Sequence, residues 1–164
     1  MKMNRSITLS IIAALTAPLT SLFAQAPADD TKQHQLHPPS EIQWKEGPPS
    51  LPAGAKFAVL EGDPHKEGFF VMRLRLPDGY HVPPHTHPKT ERVTVISGTF
   101  RIAMGDVLER GKAYTVPAGS YGFWPAGMKH AGWAEGETIL QLHGVGPWAI
   151  NYVNPADDPR NAKK

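Results

Sequence analysis

The sequence predicts an all-β fold, a barrel or sandwich built from short strands. Its 17 prolines and 15 glycines suit many strands joined by turns. Apolar and polar residues alternate over residues 72–76 (MRLRL), with the two-residue period of a half-buried strand. No long amphipathic helical pattern follows residue 26. At 164 residues the chain has room for one domain with a substantial core, and not comfortably for two.

The N-terminus has the features of a secretory signal peptide. Lys2 and Arg5 precede an apolar segment at residues 7–23, and Ala24-Gln25-Ala26 has the small-x-small pattern of a cleavage site. An uncleaved membrane anchor is the alternative, but the apolar segment is short and contains Ser and Thr. We therefore expect residues 1–26 to be removed, with cleavage between Ala24 and Ala28, and the mature protein to be periplasmic or secreted.

Charge and cysteine content exclude several classes of function. Removing Lys2 and Arg5 with the signal peptide leaves 15 of the 17 basic residues, equal to the 15 acidic residues. No cluster of Lys and Arg remains, so we expect neither nucleic-acid binding nor, after signal cleavage, a membrane partner. The chain has no cysteine. Disulfides, thiolate metal ligands and a cysteine nucleophile are therefore excluded.

The mature chain divides into an arm, a barrel and a tail. Residues 27–54 form an N-terminal arm with an edge strand near Ile42 and Trp44, and residues 154–164 form a frayed tail. The barrel spans residues 55–153. Gly and Pro turns separate its predicted strands, at residues 56–60, 69–76, 92–96, 99–104, 114–116, 120–124, 130–134, 138–143 and 149–153. Exposed sheet edges in so small a barrel need covering, which favours a homodimer.

Ligand-type side chains recur at the spacing of a metal site. His85 and His87 share one face of an extended chain, about 7 Å apart, which lets two imidazoles converge on one ion. Pro88 interrupts the strand, so we expect Glu91 to approach after a short bulge or loop. His130 comes from a separate hairpin that follows the turn Trp124-Pro125-Ala126-Gly127. Three imidazoles and a carboxylate suit one divalent transition ion: Fe, Mn, Ni, Zn or Cu.

The strands that carry these ligands are predicted to form facing hairpins. Residues 92–96 alternate as a half-buried strand, Ser97-Gly98 is expected to turn the chain back, and residues 99–104 return with one apolar face. His130 can complete the site only if this hairpin and the separate hairpin that carries His130 face each other inside one barrel.

Two motifs resemble those of the cupin superfamily. The first, G-x5-H-x-H-x3–4-E-x6-G, is matched completely from Gly79 to Gly98. The second, G-x5-P-x-G-x2-H-x3-N, is matched from Gly119 to His130, with Ala134 in place of the final Asn. The resemblance implies a double-stranded β-helix of the jelly-roll kind, with His85, His87, Glu91 and His130 as metal ligands. It also implies a small-molecule ligand.

The resemblance leaves two classes of function open. Cupins with this ligand set include dioxygenases, decarboxylases, isomerases and lyases that act on small organic acids, so a metalloenzyme is the first hypothesis. The alternative is a small-molecule-binding or sensing module without turnover. The sequence assigns no acid or base securely beyond the four ligands.

Further site residues are predicted from strand parity. His143 shares a face with Gln141, and if that face turns inward His143 is a catalytic acid or base. If the face with Leu140 and Leu142 turns inward instead, His143 is an outer-surface residue. His81 has the parity of His85 and is a candidate proton shuttle. Aromatic and apolar residues are expected in part to wall an apolar pocket: Met104, Tyr121, Phe123, Trp133 and Trp148.

Overall fold

The protein is all-β, as a computed structural model covering residues 34–162 shows. The predicted signal peptide and the first part of the predicted arm lie outside these residues. The nine strands are β1 (Lys45–Glu46), β2 (Lys56–Glu61), β3 (Gly68–Leu76), β4 (His81–Thr86), β5 (Glu91–Met104), β6 (Tyr114–Pro117), β7 (Tyr121–Trp124), β8 (His130–Gly146) and β9 (Asn151–Tyr152). The all-β prediction is confirmed, and the curled antiparallel sheet is consistent with a jelly roll.

Two long strands, β5 and β8, organise the sheet. Their pairing runs antiparallel from Arg92 opposite His143 to Met104 opposite His130. The second half of β8 also pairs with β3, and its first half pairs with β4. Strands β6 and β7 both pair with β5. The first residues of the two strands, Glu91 and His130, therefore lie at opposite ends of this ladder, and only the curl of the sheet can bring them together.

Glycine 98 bends β5 instead of turning the chain back. The expected hairpin at Ser97-Gly98 is wrong, because Val95 and Thr99 both continue the pairing with β8, with a register shift between them. Gly98 has a φ of +79°, and a Cβ there would lie 2.5 Å from the Glu137 carbonyl oxygen. Only glycine combines this conformation with so close an approach. The bend lets one strand follow the curvature of the barrel.

Strand β8 likewise joins two segments that the sequence separates. Residues 130–134 and 138–143 belong to one strand, with Gly136 between them at a φ of +71°. The turn before His130 is present, since the Met128 N–H donates to the Pro125 carbonyl. The predicted hairpin is not, because β7 pairs with β5 rather than with β8.

The barrel interior is filled by the alternating apolar residues of its strands. In β3 every second residue from Phe70 to Leu76 is buried, and Leu140 and Leu142 of β8 lie on the same inner side. The core also includes residues of β5, such as Val95 and Ile102. Burying each side chain of this size contributes about 1.5–3 kcal/mol relative to leaving it exposed. The interior is therefore apolar except where the predicted metal ligands enter it.

The ends of the described chain pack as short elements. The predicted edge strand is found slightly later than expected, as β1 paired with β2. The tail forms two 3-10 turns, Pro155–Asp157 and Pro159–Asn161, and the Arg160 guanidinium donates to the Ile150 carbonyl. Within residues 34–162 no helix combines the length and the apolar character that a membrane crossing requires.

Candidate metal centre

The four predicted ligands come from three neighbouring elements. His85 lies near the end of β4, His87 follows in the loop, and Glu91 is the first residue of β5. His130 is the first residue of β8 and lies directly opposite His85 in the sheet. All four are buried. Buried polar side chains are costly without partners, so this cluster in an apolar barrel requires compensating contacts.

Backbone carbonyls orient the three imidazoles. Nδ1 of His85 lies 2.7 Å from the Pro83 oxygen, and Nδ1 of His130 lies 3.0 Å from the Met128 oxygen. Nδ1 of His87 lies 2.8 Å from the oxygen of Ala149, on the connection between β8 and β9. A carbonyl oxygen only accepts, so each Nδ1 carries the proton. This leaves each Nε2 with a free lone pair, which is the arrangement of metal-ligating histidines.

The remaining donor atoms converge. One ring nitrogen from each of the three histidines lies within 4.8 Å of the others. Oε2 of Glu91 lies 3.2 Å from Nε2 of His87 and 3.3 Å from Nε2 of His130. Nε2 of His87 is buried and has no hydrogen-bond partner among the described residues. An orphaned lone pair beside a carboxylate and two further imidazoles fits a divalent cation, and the three histidines could hold one.

The electrostatics of the cluster keep Glu91 charged. Burial raises the pKa of its carboxyl group, but the positive charge and hydrogen bonds that His87 and His130 supply in their imidazolium form outweigh burial and hold that pKa below its usual range. Burial lowers the pKa of His85 to about 3, helped by the two other imidazoles. His85 is therefore neutral at physiological pH, as a ligand must be. Burial also lowers the pKa of His87, but the Glu91 charge offsets this and the net shift is upward.

Two tryptophans pack against the imidazoles. Trp148 stacks on His87, with ring centroids 5.1 Å apart and an interplanar angle of 21°. Trp124 stacks on His130, with centroids 5.4 Å apart and an angle of 23°. Trp124 also lies opposite Glu91 across the β5–β7 pair. The indoles shield the ligands from water and fix the ring planes.

The ligands form one wall of a small cavity with a volume of about 40 Å³. A water needs roughly 10–15 Å³ on this measure, so the cavity holds a few waters or a small organic ligand. Apart from the three histidines and Glu91, every lining residue is apolar or glycine: Leu51, Leu74, Leu76, Val82, Val93, Phe100, Ile102, Trp124, Gly132, Leu140, Leu142, Trp148 and Ile150. Within this lining, the four ligands are the only acid or base groups.

The structure does not bring His143 to this cavity. Leu140 and Leu142 take the inward face of β8, and His143 lies on the outer face between the rings of Phe69 and Tyr121. The inward orientation considered for the Gln141–His143 face is therefore corrected. The physical reason is the apolar demand of the barrel interior, which the two leucines satisfy. The placement gives no support to a catalytic role for His143.

The other parity-based expectations also need correction. His81 is exposed and lies opposite Trp133, because a register shift between Val82 and His85 breaks its common parity with the ligands. Of the aromatic and apolar residues expected at the pocket, only Trp148 lines it. Trp133 is buried elsewhere, and the remaining three are exposed: Met104, Tyr121 and Phe123.

Sequence reasoning missed Trp124 and Leu51 as lining residues. Trp124 shares its face with Gly122, and the opposite face of β7 carries the exposed Tyr121 and Phe123. The framing proline at 125 could have indicated that Trp124 leads into the site. Leu51 comes from the connector before β2, whose contact with the cavity has no sequence signal.

Solved structures share this fold at low sequence identity. The polyketide cyclase RemF from Streptomyces resistomycificus superposes with a TM-score of 0.63 and 17% identity, covering 78% of this chain and 90% of that one. An acetylacetone dioxygenase from Acinetobacter johnsonii gives 0.56 and 19%, covering 77% and 85%. An RmlC-like cupin from Shewanella frigidimarina gives 0.52 and 14%, covering 76% and 96%. These likenesses concern the fold alone.

Comparison with curated proteins gives no match. Comparison with protein families matches residues 32–149 to the ChrR cupin-like domain, which is well over half of the chain. The match includes both motifs and all four converging side chains. The resemblance to cupins is thus confirmed, and the chain belongs to the ChrR cupin-like family.

Proposed function

We propose that this protein is an exported metal-binding cupin that acts on a small organic molecule at one divalent metal ion. The observation that carries the proposal is the convergence of three Nε2 lone pairs and the Glu91 carboxylate on the wall of an apolar cavity. His85, His87, Glu91 and His130 would hold the ion. With four protein ligands, a six-coordinate ion has two positions left for a small molecule and supplies Lewis acidity there.

The chain's own residues would prepare this site rather than exchange protons in it. Three backbone carbonyls hold the imidazoles in one tautomer, and the two stacked tryptophans exclude water. Glu91 would stay ionised as a ligand, because a bound cation beside the carboxylate stabilises its negative charge. Since no further acid or base lines the cavity, proton transfer would have to use Glu91, water or the substrate itself.

Dioxygenase, decarboxylase, isomerase or lyase chemistry on a small organic acid fits this arrangement. Two similar structures are named as a cyclase and as a dioxygenase, which illustrates that the fold serves more than one reaction. The cavity's lack of a separate acid or base favours the second candidate, a metal-dependent binding or sensing module without turnover. The two candidates share the metal site and differ in whether bound molecules are converted.

Elemental analysis of the protein purified from its native compartment tests the metal site. We expect about one transition ion per chain, lost in the double variant His85→Ala/His87→Ala and retained in His143→Ala, which alters an imidazole outside the cavity. Small acids are then screened with oxygen consumption and product formation monitored. Binding without conversion across the screen supports the sensing module. Full metal content in the double variant contradicts both candidates.

Export remains part of the proposal on sequence grounds. Lys2, Arg5, the apolar segment at 7–23 and Ala24-Gln25-Ala26 support a periplasmic or secreted protein. Mass spectrometry of the native protein is expected to give a mature chain that begins within residues 25–29. An intact Met1 in the membrane fraction would replace this proposal with an anchored protein.

A further inference from the structure

The charge of the cavity limits what it can bind. Glu91 is the only carboxylate among the lining residues, and no Lys or Arg contributes to the lining. A divalent ion held by Glu91 and three neutral histidines leaves one net positive charge. One anionic group on a ligand balances that charge. A second anionic group would lie in an apolar cavity without a partner, at a cost of several kcal/mol.

The cavity also limits size and polarity. Its volume of about 40 Å³ suits a compact molecule, and leucine, valine and isoleucine side chains surround the space beyond the ligands. Polar substituents pointing away from the metal side would lose their hydrogen bonds with water and find none in return. A compact apolar remainder suits this space.

One residue of the cavity wall, Trp148, carries a hydrogen-bond donor without a partner among the described residues. Nε1 of Trp148 is buried and has no partner within the described chain. The indole lines the cavity and stacks on the metal-side imidazole of His87. A buried N–H without an acceptor costs about 1–3 kcal/mol, and a ligand oxygen would remove that cost.

We propose that the site selects a small, singly charged oxygen chelator with an apolar body, and that Trp148 donates its indole N–H to an oxygen of that ligand. The proposal rests on the proposed metal site and narrows the substrate class within it. Monocarboxylic acids that carry an oxygen substituent on the carbon next to the carboxylate, together with a short aliphatic side chain, belong to this class. Dicarboxylic and sugar acids do not. Trp148 would determine specificity, because its N–H favours ligands with an oxygen at that place. It would take no part in the bonds that react.

The test compares two isosteric acids on the Co²⁺-loaded protein, whose visible absorption reports ligand binding without turnover. 2-Hydroxy-3-methylbutanoate carries an isopropyl group where 2-hydroxymalonate carries a second carboxylate, and both chelate through carboxylate and hydroxyl oxygens. We expect the monoacid to bind at least tenfold more tightly. Free Co²⁺ in water prefers the dianion on charge alone, so a reversed preference identifies the cavity as its cause.

Trp148→Phe tests the donor, because it keeps an aromatic ring over His87 and removes the N–H. We expect a five- to tenfold loss of monoacid affinity, the size of one hydrogen bond, with unchanged Co²⁺ content. Trp133→Phe, which alters a buried indole outside the cavity lining, is the control and is expected to change the affinity less than twofold.

Each failure has a different meaning. If the Co²⁺-loaded protein shows no visible absorption that is lost on replacing His85 and His87, the metal site is overturned, and the proposed function with it. A Co²⁺ site that binds hydroxymalonate as tightly as the monoacid overturns the ligand class alone. Equal losses in Trp148→Phe and Trp133→Phe, or no loss in the former, overturn the role of Trp148.

Discussion

Main-chain carbonyl groups, not side chains, orient the three imidazoles of the candidate metal centre. The oxygens of Pro83, Met128 and Ala149 take this part. In many metal sites a carboxylate side chain does so and can be removed by mutation. Here the three carbonyl oxygens that orient the imidazoles stay in place in any variant that preserves the backbone. Loss of metal in a ligand variant therefore reports the ligand itself.

Ligand variants are expected to lower metal occupancy to different degrees. His85→Ala, His87→Ala and His130→Ala each remove a nitrogen donor and should reduce occupancy at least about tenfold. Glu91→Gln should be milder, because the amide oxygen still ligates weakly. Equilibrium dialysis followed by elemental analysis measures the effect, with His143→Ala as the variant that should match wild type. Occupancy that stays full in His130→Ala would remove that residue from the ligand set.

The sequence predicts the ligands better than it predicts the residues around them. His85, His87 and His130 stand in motifs whose glycine and proline framing has few alternatives. The two faces of a strand, in contrast, are equivalent by parity, and only packing decided that Leu142 and not His143 faces inward. The contact of His87 with Ala149 spans 62 residues of sequence and involves a backbone atom that every residue possesses. No side-chain pattern can indicate it.

At the element scale, the bend in β5 depends on one glycine. Sequence reasoning placed both halves of β5 and of β8 but divided each strand at its glycine, because Gly98 and Gly136 look like turn residues locally. Whether a glycine ends a strand or bends it depends on the neighbouring strand. At Gly98 the partner strand β8 continues past the bend, and its backbone lies so close to Gly98 that it occupies the place of a side chain.

Gly98→Ala is expected to destabilise the protein more than Gly136→Ala. Both positions have positive φ, +79° and +71°, so both variants carry the same backbone strain of about 1 kcal/mol. A Cβ at 98 would in addition meet the Thr138 Oγ1 at 2.6 Å, whereas one at 136 meets nothing within 4 Å. We expect a further loss of about 1–3 kcal/mol at 98, measured by denaturant unfolding. Equal losses would contradict the close approach.

Two tyrosines fasten the connector that carries Leu51 over the cavity. The Tyr152 hydroxyl donates to the Ser50 carbonyl at 2.8 Å, and the Tyr80 hydroxyl donates to the Pro52 carbonyl at 2.6 Å. Burial is the main cause that raises the pKa of both, for Tyr152 to about 12. Because these folded-state values exceed the unfolded value near 10, the stability they contribute is present below about pH 10 and lost as pH rises through the folded pKa.

Tyr152→Phe is expected to separate this effect from other alkaline titrations. At pH 8 the variant loses one hydrogen bond, about 1 kcal/mol. Between pH 10 and 12 the difference in melting temperature between wild type and variant should narrow. In wild type the phenol of Tyr152 ionises on unfolding, which favours the unfolded state, and the variant has no phenol there to ionise. Thermal unfolding across this range measures the gap. A gap that widens with pH would contradict the sign of the shift.

At the scale of the whole molecule, association stays a prediction. Strand β1 ends one path of the sheet, and exposed side chains on the outer face form an apolar patch: Phe69, Tyr121, Phe123 and Val145. We expect a homodimer, since both features favour association. Sedimentation at micromolar concentration should give the mass of two chains. Phe123→Asp tests the patch, and deletion of residues 27–44 tests the edge. The mass of one chain for the wild type would end the expectation.

The distance along the chain between the ligands and their supports has a consequence for folding kinetics. Residues 85, 130 and 149 come together only after β4, β8 and β9 are paired, and contacts so far apart in sequence form late. The apolar core that joins these strands contains no ligand. An ion bound at the proposed site would therefore meet a finished site and slow unfolding, rather than guide the chain to its fold. Metal supply would govern how long the native protein survives, while its rate of formation stays the same.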